Sequence, residues 1–327
     1  MFKYTAIALV AFAAGHGAAI ILGKIGKKKK ILMRHGVPQV GGAAIFAGFA
    51  AAVVSCLMLS CGFSRQASGA FLASLVMFFF GLVDDKYELS VAAKFLVQLI
   101  SACVLIIFGV KTRIAGIPDT ANIIITFIWV LGIANAFNHL DVIDGLAGVS
   151  ALAVSIALFI IASLRGDIST AFFVLALAGS ILSFLFYNLP PAKIYMGNSG
   201  SHFLGFSLAA AALMVSYASA DKKIALLSPL LILGLPIIDT SFLIWIRIKK
   251  RLLPFNKSND HIAMRLTAAG FSVKKALLFL SAIGIVFPLC GLALAVLPVS
   301  VSAFIVPSAV LLAAVFVFKM SRIKING

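Results

Sequence analysis

Leu146-Ala-Gly-Val-Ser-Ala-Leu-Ala-Val-Ser-Ile-Ala-Leu-Phe-Ile-Ile-Ala-Ser-Leu164 runs for nineteen residues without a charge. About 20 apolar residues in a helix cross the hydrocarbon of a bilayer, whereas a spanning strand would alternate polar and apolar side chains. This run does not alternate, so it reads as a membrane helix, which satisfies its own backbone polar groups. Ten similar runs lie near residues 4–23, 40–61, 68–83, 91–110, 119–137, 170–188, 200–218, 224–246, 275–297 and 300–318. The expected fold is all-α: a polytopic integral membrane protein with about eleven transmembrane helices.

Composition agrees. Only 11% of the residues are charged, and the mean hydropathy is +1.15. Soluble domains carry roughly 25% charged residues, which excludes an ordinary soluble protein. The first run is too long for a signal peptide, has only Lys3 before it, and meets the stop-transfer cluster Lys27 to Lys30. We expect one membrane domain over residues 1–327, with an enlarged internal loop near 247–274. Cys56, Cys61, Cys103 and Cys290 sit in apolar runs without ligand spacing and read as small packing residues.

The net charge of +17 would suggest nucleic acid in a soluble protein, but here it follows topology. With the N-terminus outside, 20 of the 27 basic residues fall on one side of the membrane. The positive-inside rule makes that side cytoplasmic, together with the C-terminus. No nucleic-acid partner is expected, and the protein is placed in the inner (plasma) membrane. Seven of the ten acidic residues share the same side: Asp84, Asp85, Glu88, Asp141, Asp144, Asp239 and Asp260.

Immediately before the opening run stands Asn135-Ala-Phe-Asn-His-Leu-Asp-Val-Ile-Asp-Gly145. Groups this polar are costly in a membrane and mark functional sites, although Asn and Asp also serve turns and caps. Four further clusters join it on that side. Asp84-Asp85 ends one run, and adjacent carboxylates suit a cation or a base. Arg34 precedes Pro38 and Gly41-Gly42, a tight re-entry whose amides could meet a phosphate, beside lysines that suit anionic lipid. Gly197-Asn198-Ser199-Gly200-Ser201 opens a helix whose N-terminus favours a diphosphate, with Asn198 as metal donor or simple cap. Asp239 lies inside a run, and His261 and Arg265 lie on the loop, where they could clamp phosphate oxygens. Carboxylates, amide oxygens, a helix start and cations are the parts of metal-assisted phosphoryl transfer.

In order and spacing, Gly41-Gly42, Gly81-Leu-Val-Asp84-Asp85 with Leu89-Ser90, Asn135 through Leu146, Met196 through Ser201 and Pro236-Ile-Ile-Asp239 resemble the polyprenyl-phosphate N-acetylhexosamine-1-phosphate transferases. The match covers roughly residues 34–275. The resemblance implies transfer of a sugar-1-phosphate from a UDP-sugar to polyprenyl (undecaprenyl) phosphate, with release of UMP at the cytoplasmic surface. It implies Mg²⁺, or Mn²⁺ in its place, in the synthesis of a cell-envelope glycan, and it leaves room for a homodimer. By motif position, Asp84, Asp85 and Asp144 would be catalytic, Asp84 as the base. Asn138, Asp141, Gly197, Ser199, His261 and Arg265 would bind substrate. Asn138, Asn198 and Asp144 would hold the metal, and Pro254-Phe255 would help close over the donor.

Two positions depart from the family pattern. Asn198 stands where the family has a metal-binding aspartate, so metal affinity should fall. The loop reads His261-Ile-Ala-Met-Arg265, keeping the first His and the Arg but losing two imidazoles. A different donor, compensating ligands or an inactive scaffold relative would each account for this. A transporter or lipid-binding protein is the reading from another class. Transport sites usually lie near the bilayer midplane, and of these acids only Asp239 does.

Overall fold

A computed structural model describes residues 2–59, 61–217, 222–253 and 260–323. Its helices in chain order are α1 (Phe2–Lys29), α2 (Gly41–Met58), α3 (Arg65–Tyr87), α4 (Val91–Ile107), α5 (Asp119–Leu140), α6 (Leu146–Leu164), α7 (Ile168–Asn188), α8 (Gly197–Met214), α9 (Ser228–Ile232), α10 (Gly234–Lys249), α11 (Ile262–Ala268), α12 (Val273–Val296) and α13 (Val299–Arg322). A 3₁₀ turn, Lys223–Leu227, leads into α9. Every apolar run of the sequence carries helix, and the opening run becomes α6 with the same ends.

Eight helices among the described residues are long and apolar enough to cross a membrane, or nine if the bent pair Lys223–Ile232 and Gly234–Lys249 counts as one span. This polytopic all-α architecture is coarser than the eleven spans read from sequence. Three runs account for the difference. The ninth is broken by a 71° bend. Pro236 sits in the first turn of α10, where its missing N–H costs nothing. Next to the bend, a Cβ on Gly234 would meet the Phe287 ring of α12, so the kink also allows close packing. The α4 helix has 17 residues. The α8 helix is rich in Gly, Ser and Ala and is buried from Ser199 to Ala212, because it packs against α2, α3, α5, α6 and α7. A helix wrapped in protein needs no lipid-facing surface.

Small residues set these close approaches, as expected where lipid offers no hydrophobic drive to association. A Cβ on Gly205 would meet the Ala134 backbone of α5 at 2.8 Å, and Ser207 Oγ of α8 donates to Ser74 Oγ of α3 at 2.8 Å.

Among the described residues the one β-sheet is a two-residue ribbon, Met33–Arg34 with Val37–Pro38, in antiparallel register. Its loop residues, His35 and Gly36, both have positive φ, as tight hairpin turns require. The ribbon feeds directly into α2. Tyr195 N donates to Pro38 O, and the Gly41 and Gly42 amides donate to the carbonyls of Tyr195 and Met196 at 2.8 and 2.9 Å. The start of α2 is thereby laced to the start of α8.

Candidate active site

The α8 start is where the polar clusters converge. Asp85, near the end of α3, accepts the backbone N–H of Asn198 at 2.6 Å and of Ser199 at 3.0 Å, one on each carboxylate oxygen. Such a carboxylate satisfies two orphan donors and opposes the positive end of the helix dipole. Geometry keeps the approach open only to glycine at 197. Gly197 has φ +72°, and a Cβ there would lie 2.8 Å from an Asp85 oxygen. The sequence left these amides for a diphosphate, but two of them already hold a protein carboxylate. The Gly41 and Gly42 amides are likewise spent on carbonyls.

One turn further, Asn138 at the end of α5 donates through Nδ2 to Asn198 Oδ1 at 3.0 Å and to Ser201 Oγ at 2.9 Å. The two amide side chains assigned to the metal are therefore neighbours. Asp144 follows in the turn between α5 and α6, where it accepts the Ala192 amide at 3.0 Å. Asn188 braces the same turn, accepting from Gly145 N and donating to Ile194 O. Asp141 caps α5. Burial, reinforced by Asp85 and Asp144 and opposed by Arg34, raises its pKa to about 7. Asp85, Asn138, Asp141, Asp144 and Asn198 are all half-buried, which leaves them reachable. Ser199 donates its amide to Asp85 but is itself fully buried.

Asp84 differs from its neighbour. It is fully buried, accepts Lys94 Nζ at 2.5 Å on one oxygen and takes the Leu89 amide at 2.8 Å on the other. A carboxylate engaged in this way ties the α3 end to α4 and is poorly placed to be a base. Lys94 was not singled out in the sequence, although its place ten residues after Asp84 was visible. His202 is buried with neither ring nitrogen bonded, and it packs near the Phe80 ring. In the sequence it ends the polar stretch that opens α8, with no role read for it.

The loop residues are brought together, but with each other rather than with the α8 start. Asp239 accepts the Ile262 amide at 3.0 Å and lies 3.4 Å from His261 Nδ1. His139 of α5 reaches the same group, 3.4 Å from Thr240 Oγ1 and stacked edgewise 6.0 Å from the His261 ring. Arg265 donates to Asp260 at 2.9 Å and to the carbonyls of Met320 and Ile323 at the end of α13, with its guanidinium over Phe242. Burial opposes ionisation of Asp260, but Lys250 and Arg265 together hold its carboxyl below the ordinary range. Arg265, expected to clamp phosphate, is 4% exposed and spent as an internal brace. Asp239 was the one sign of a midplane transport site, and its carboxylate is occupied in seating the loop. Pro254-Phe255 lie outside the described residues.

The same chemistry appears in the comparisons with known proteins. The model of glycosyl transferase family 4 matches residues 67–216. The probable undecaprenyl-phosphate N-acetylglucosaminyl 1-phosphate transferase of Bacillus subtilis (strain 168) is 34% identical over 279 residues, which are 83% of this chain and 76% of that protein. The chain belongs to glycosyl transferase family 4. An undecaprenyl-phosphate alpha-N-acetylglucosaminyl 1-phosphate transferase of Thermotoga maritima is 33% identical over 286 residues, 83% of this chain and 84% of its own. A decaprenyl-phosphate N-acetylglucosaminephosphotransferase of Mycobacterium leprae is 33% identical over 277 residues, 74% and 69% respectively. The protein is accordingly a multi-pass membrane transferase of the sugar-phosphate class.

Proposed function

We propose that the protein transfers N-acetylglucosamine-1-phosphate, or a close N-acetylhexosamine analogue, from its UDP derivative to polyprenyl phosphate. In the reaction an acceptor phosphate oxygen attacks the sugar-bearing phosphorus, the diphosphate P–O bond breaks, and UMP leaves. The observation that carries this reading is the convergence of Asp85, Asn138 and Asn198 on one helix start, with Asp141 and Asp144 in the adjoining turn. That constellation closes the ends of several membrane helices, where a lipid acceptor and a water-soluble donor can meet. The charge asymmetry of the loops supports a cytoplasmic position for it, with eleven crossings, the N-terminus outside and the C-terminus inside.

The residues present suit Mg²⁺. Asn138, Asn198, Asp141 and Asp144 offer hard oxygen donors. Burial is the main reason that the pKa of Asp141 is raised, with smaller contributions from Asp85 and Asp144, and a cation there would favour its ionised form. Among the described residues no three His, Cys, Asp or Glu side chains could hold a metal ion on their own. Mg²⁺ usually completes its shell with substrate phosphate and water, so the chain need supply only a few of its oxygens. The bound ion would neutralise diphosphate charge, and Mn²⁺ offers the same chemistry.

What remains for the chain is alignment. A phosphate monoester has its second pKa near 6, so the acceptor arrives mostly dianionic and needs little base catalysis. Positioning and charge neutralisation dominate phosphoryl transfer in general. Asn138, fixed by Ser201 and Asn198, and Asp144, fixed by the Ala192 amide, are held for that task. The test is release of UMP by purified protein given undecaprenyl phosphate, Mg²⁺ and a panel of UDP-sugars. Turnover on a UDP-N-acetylhexosamine is expected. No UMP from any member of the panel, with monodisperse folded protein, would favour a scaffold role instead.

A further inference from the structure

We infer that Asp85 is a positioning residue that clamps the start of α8, rather than the base or nucleophile of the reaction. The inference rests on the transferase reading above for its kinetic part and on geometry alone for its structural part. Each oxygen of Asp85 already receives one N–H from α8, at 2.6 and 3.0 Å, so its charge is directed at the helix. The glycine at 197 makes sense on the same account. Its left-handed backbone turns the chain into α8, and its missing Cβ is the space the carboxylate fills. A bulkier residue at 197 would push the carboxylate off.

The clamp controls something specific. The Asn198 amide nitrogen is on Asp85, while its side-chain oxygen accepts from Asn138, which also binds Ser201. Asp85 therefore sets where the two amide groups stand relative to Asp141 and Asp144. Close packing reinforces it from behind. A Cβ on Gly81, one turn earlier in α3, would strike the Ser199 backbone, and one on Gly42 would strike the Gly200 backbone. The α3 end, the α2 start and the α8 start are thus a single rigid joint with Asp85 as its polar fastener. Its neighbour Asp84, fastened to Lys94 and the Leu89 amide, does the same between α3 and α4. The adjacent carboxylates divide the labour of holding two helix junctions.

Asp85→Asn is the informative change, because it keeps the size and one acceptor oxygen but cannot accept both amides. Two measurements on the full chain in nanodiscs separate the outcomes. Hydrogen exchange of the 197–201 amides should quicken about tenfold, the scale of a lost helix cap. In the UMP-release assay the Mg²⁺ concentration for half-saturation should rise about as much, with kcat falling less than tenfold. A chemical base would show the reverse split: kcat lower by about 10²- to 10⁴-fold, with Mg²⁺ dependence and exchange unchanged. That result would overturn the inference, as would unchanged exchange at 197–201 in an active protein. If wild-type protein released no UMP while Asp85→Asn still quickened exchange, the transferase reading would fail and the clamp would stand.

Discussion

Replacing Lys94 by Met tests whether the Asp84 pair is a structural fastener. Asp84 is fully buried, and in the wild type it has two partners, Lys94 Nζ at 2.5 Å and the Leu89 amide at 2.8 Å. Lys94→Met keeps the aliphatic stem but leaves the carboxylate with one neutral hydrogen bond. Removing one member of a buried ion pair costs about 3–5 kcal/mol. Since Lys94 is 28% exposed, solvent softens the loss toward the lower end, about 3 kcal/mol. At about 2 °C per kcal/mol for a chain of this size, the apparent melting temperature should fall by about 6 °C. The assay is a thermal melt in one detergent at one scan rate, because unfolding of such a protein is governed by rate. The double variant Lys94→Met with Asp84→Asn supplies the control. It orphans no charge, and the introduced amide oxygen can still accept the Leu89 N–H, so its loss should be about 1 kcal/mol. A single variant that melts with the wild type, or a double variant that melts below the single, would refute the argument.

Asn198→Asp retains an acceptor for Asn138 and adds a full charge beside the proposed metal donors; half-saturating Mg²⁺ should fall about tenfold, and an unchanged value would remove residue 198 from the metal shell. Asp141, with its pKa raised from 3.8 to about 7, binds a proton in the folded chain that the unfolded chain has released. That stabilisation is complete below pH 3.8 and lost as pH rises through about 7, so metal-free protein should melt lower at pH 8 than at pH 5, and Asp141→Asn should flatten the difference; an equal slope in the variant would count against it. Arg265→Met removes the brace between Asp260 and the end of α13; faster exchange in residues 316–323 is expected, whereas normal exchange there with impaired donor binding would return Arg265 to the phosphate. Gly42→Ala forces a Cβ onto the Gly200 backbone and should cost about 1–3 kcal/mol, while Gly132→Ala, with nothing within 4 Å of the added atom, should melt like the wild type.

Length and the lack of alternation marked the membrane helices, because a backbone in hydrocarbon has no other way to satisfy its polar groups; the short α11, inside the loop read at 247–274, carried no such signal. The runs at 146–164 and 170–188 became α6 and α7 almost residue for residue. The polar clusters were legible for the same reason: residues as costly as Asn138, Asp141 and Asp144 stand out against a greasy background. Local sequence could not say which polar atoms were already spoken for. Asp84 and Asp85 are identical side chains at adjacent positions, yet one faces Lys94 in full burial and the other faces α8 half-buried. Successive residues on a helix point about 100° apart, and only the neighbours at those two bearings decide the roles. Arg265 was read as a phosphate clamp because it is a cation on a loop. Packing of α13 against α10 and α11 put carbonyls and Asp260 around it instead. The bend at Leu233 and the burial of α8 were decided in the same way, by what lies beside them rather than by their own hydrophobicity. Sequence determined the helices and the chemical inventory; tertiary structure decided which of those groups brace the fold and which remain half-exposed at the start of α8, because a polar atom's role depends on the partner that reaches it first.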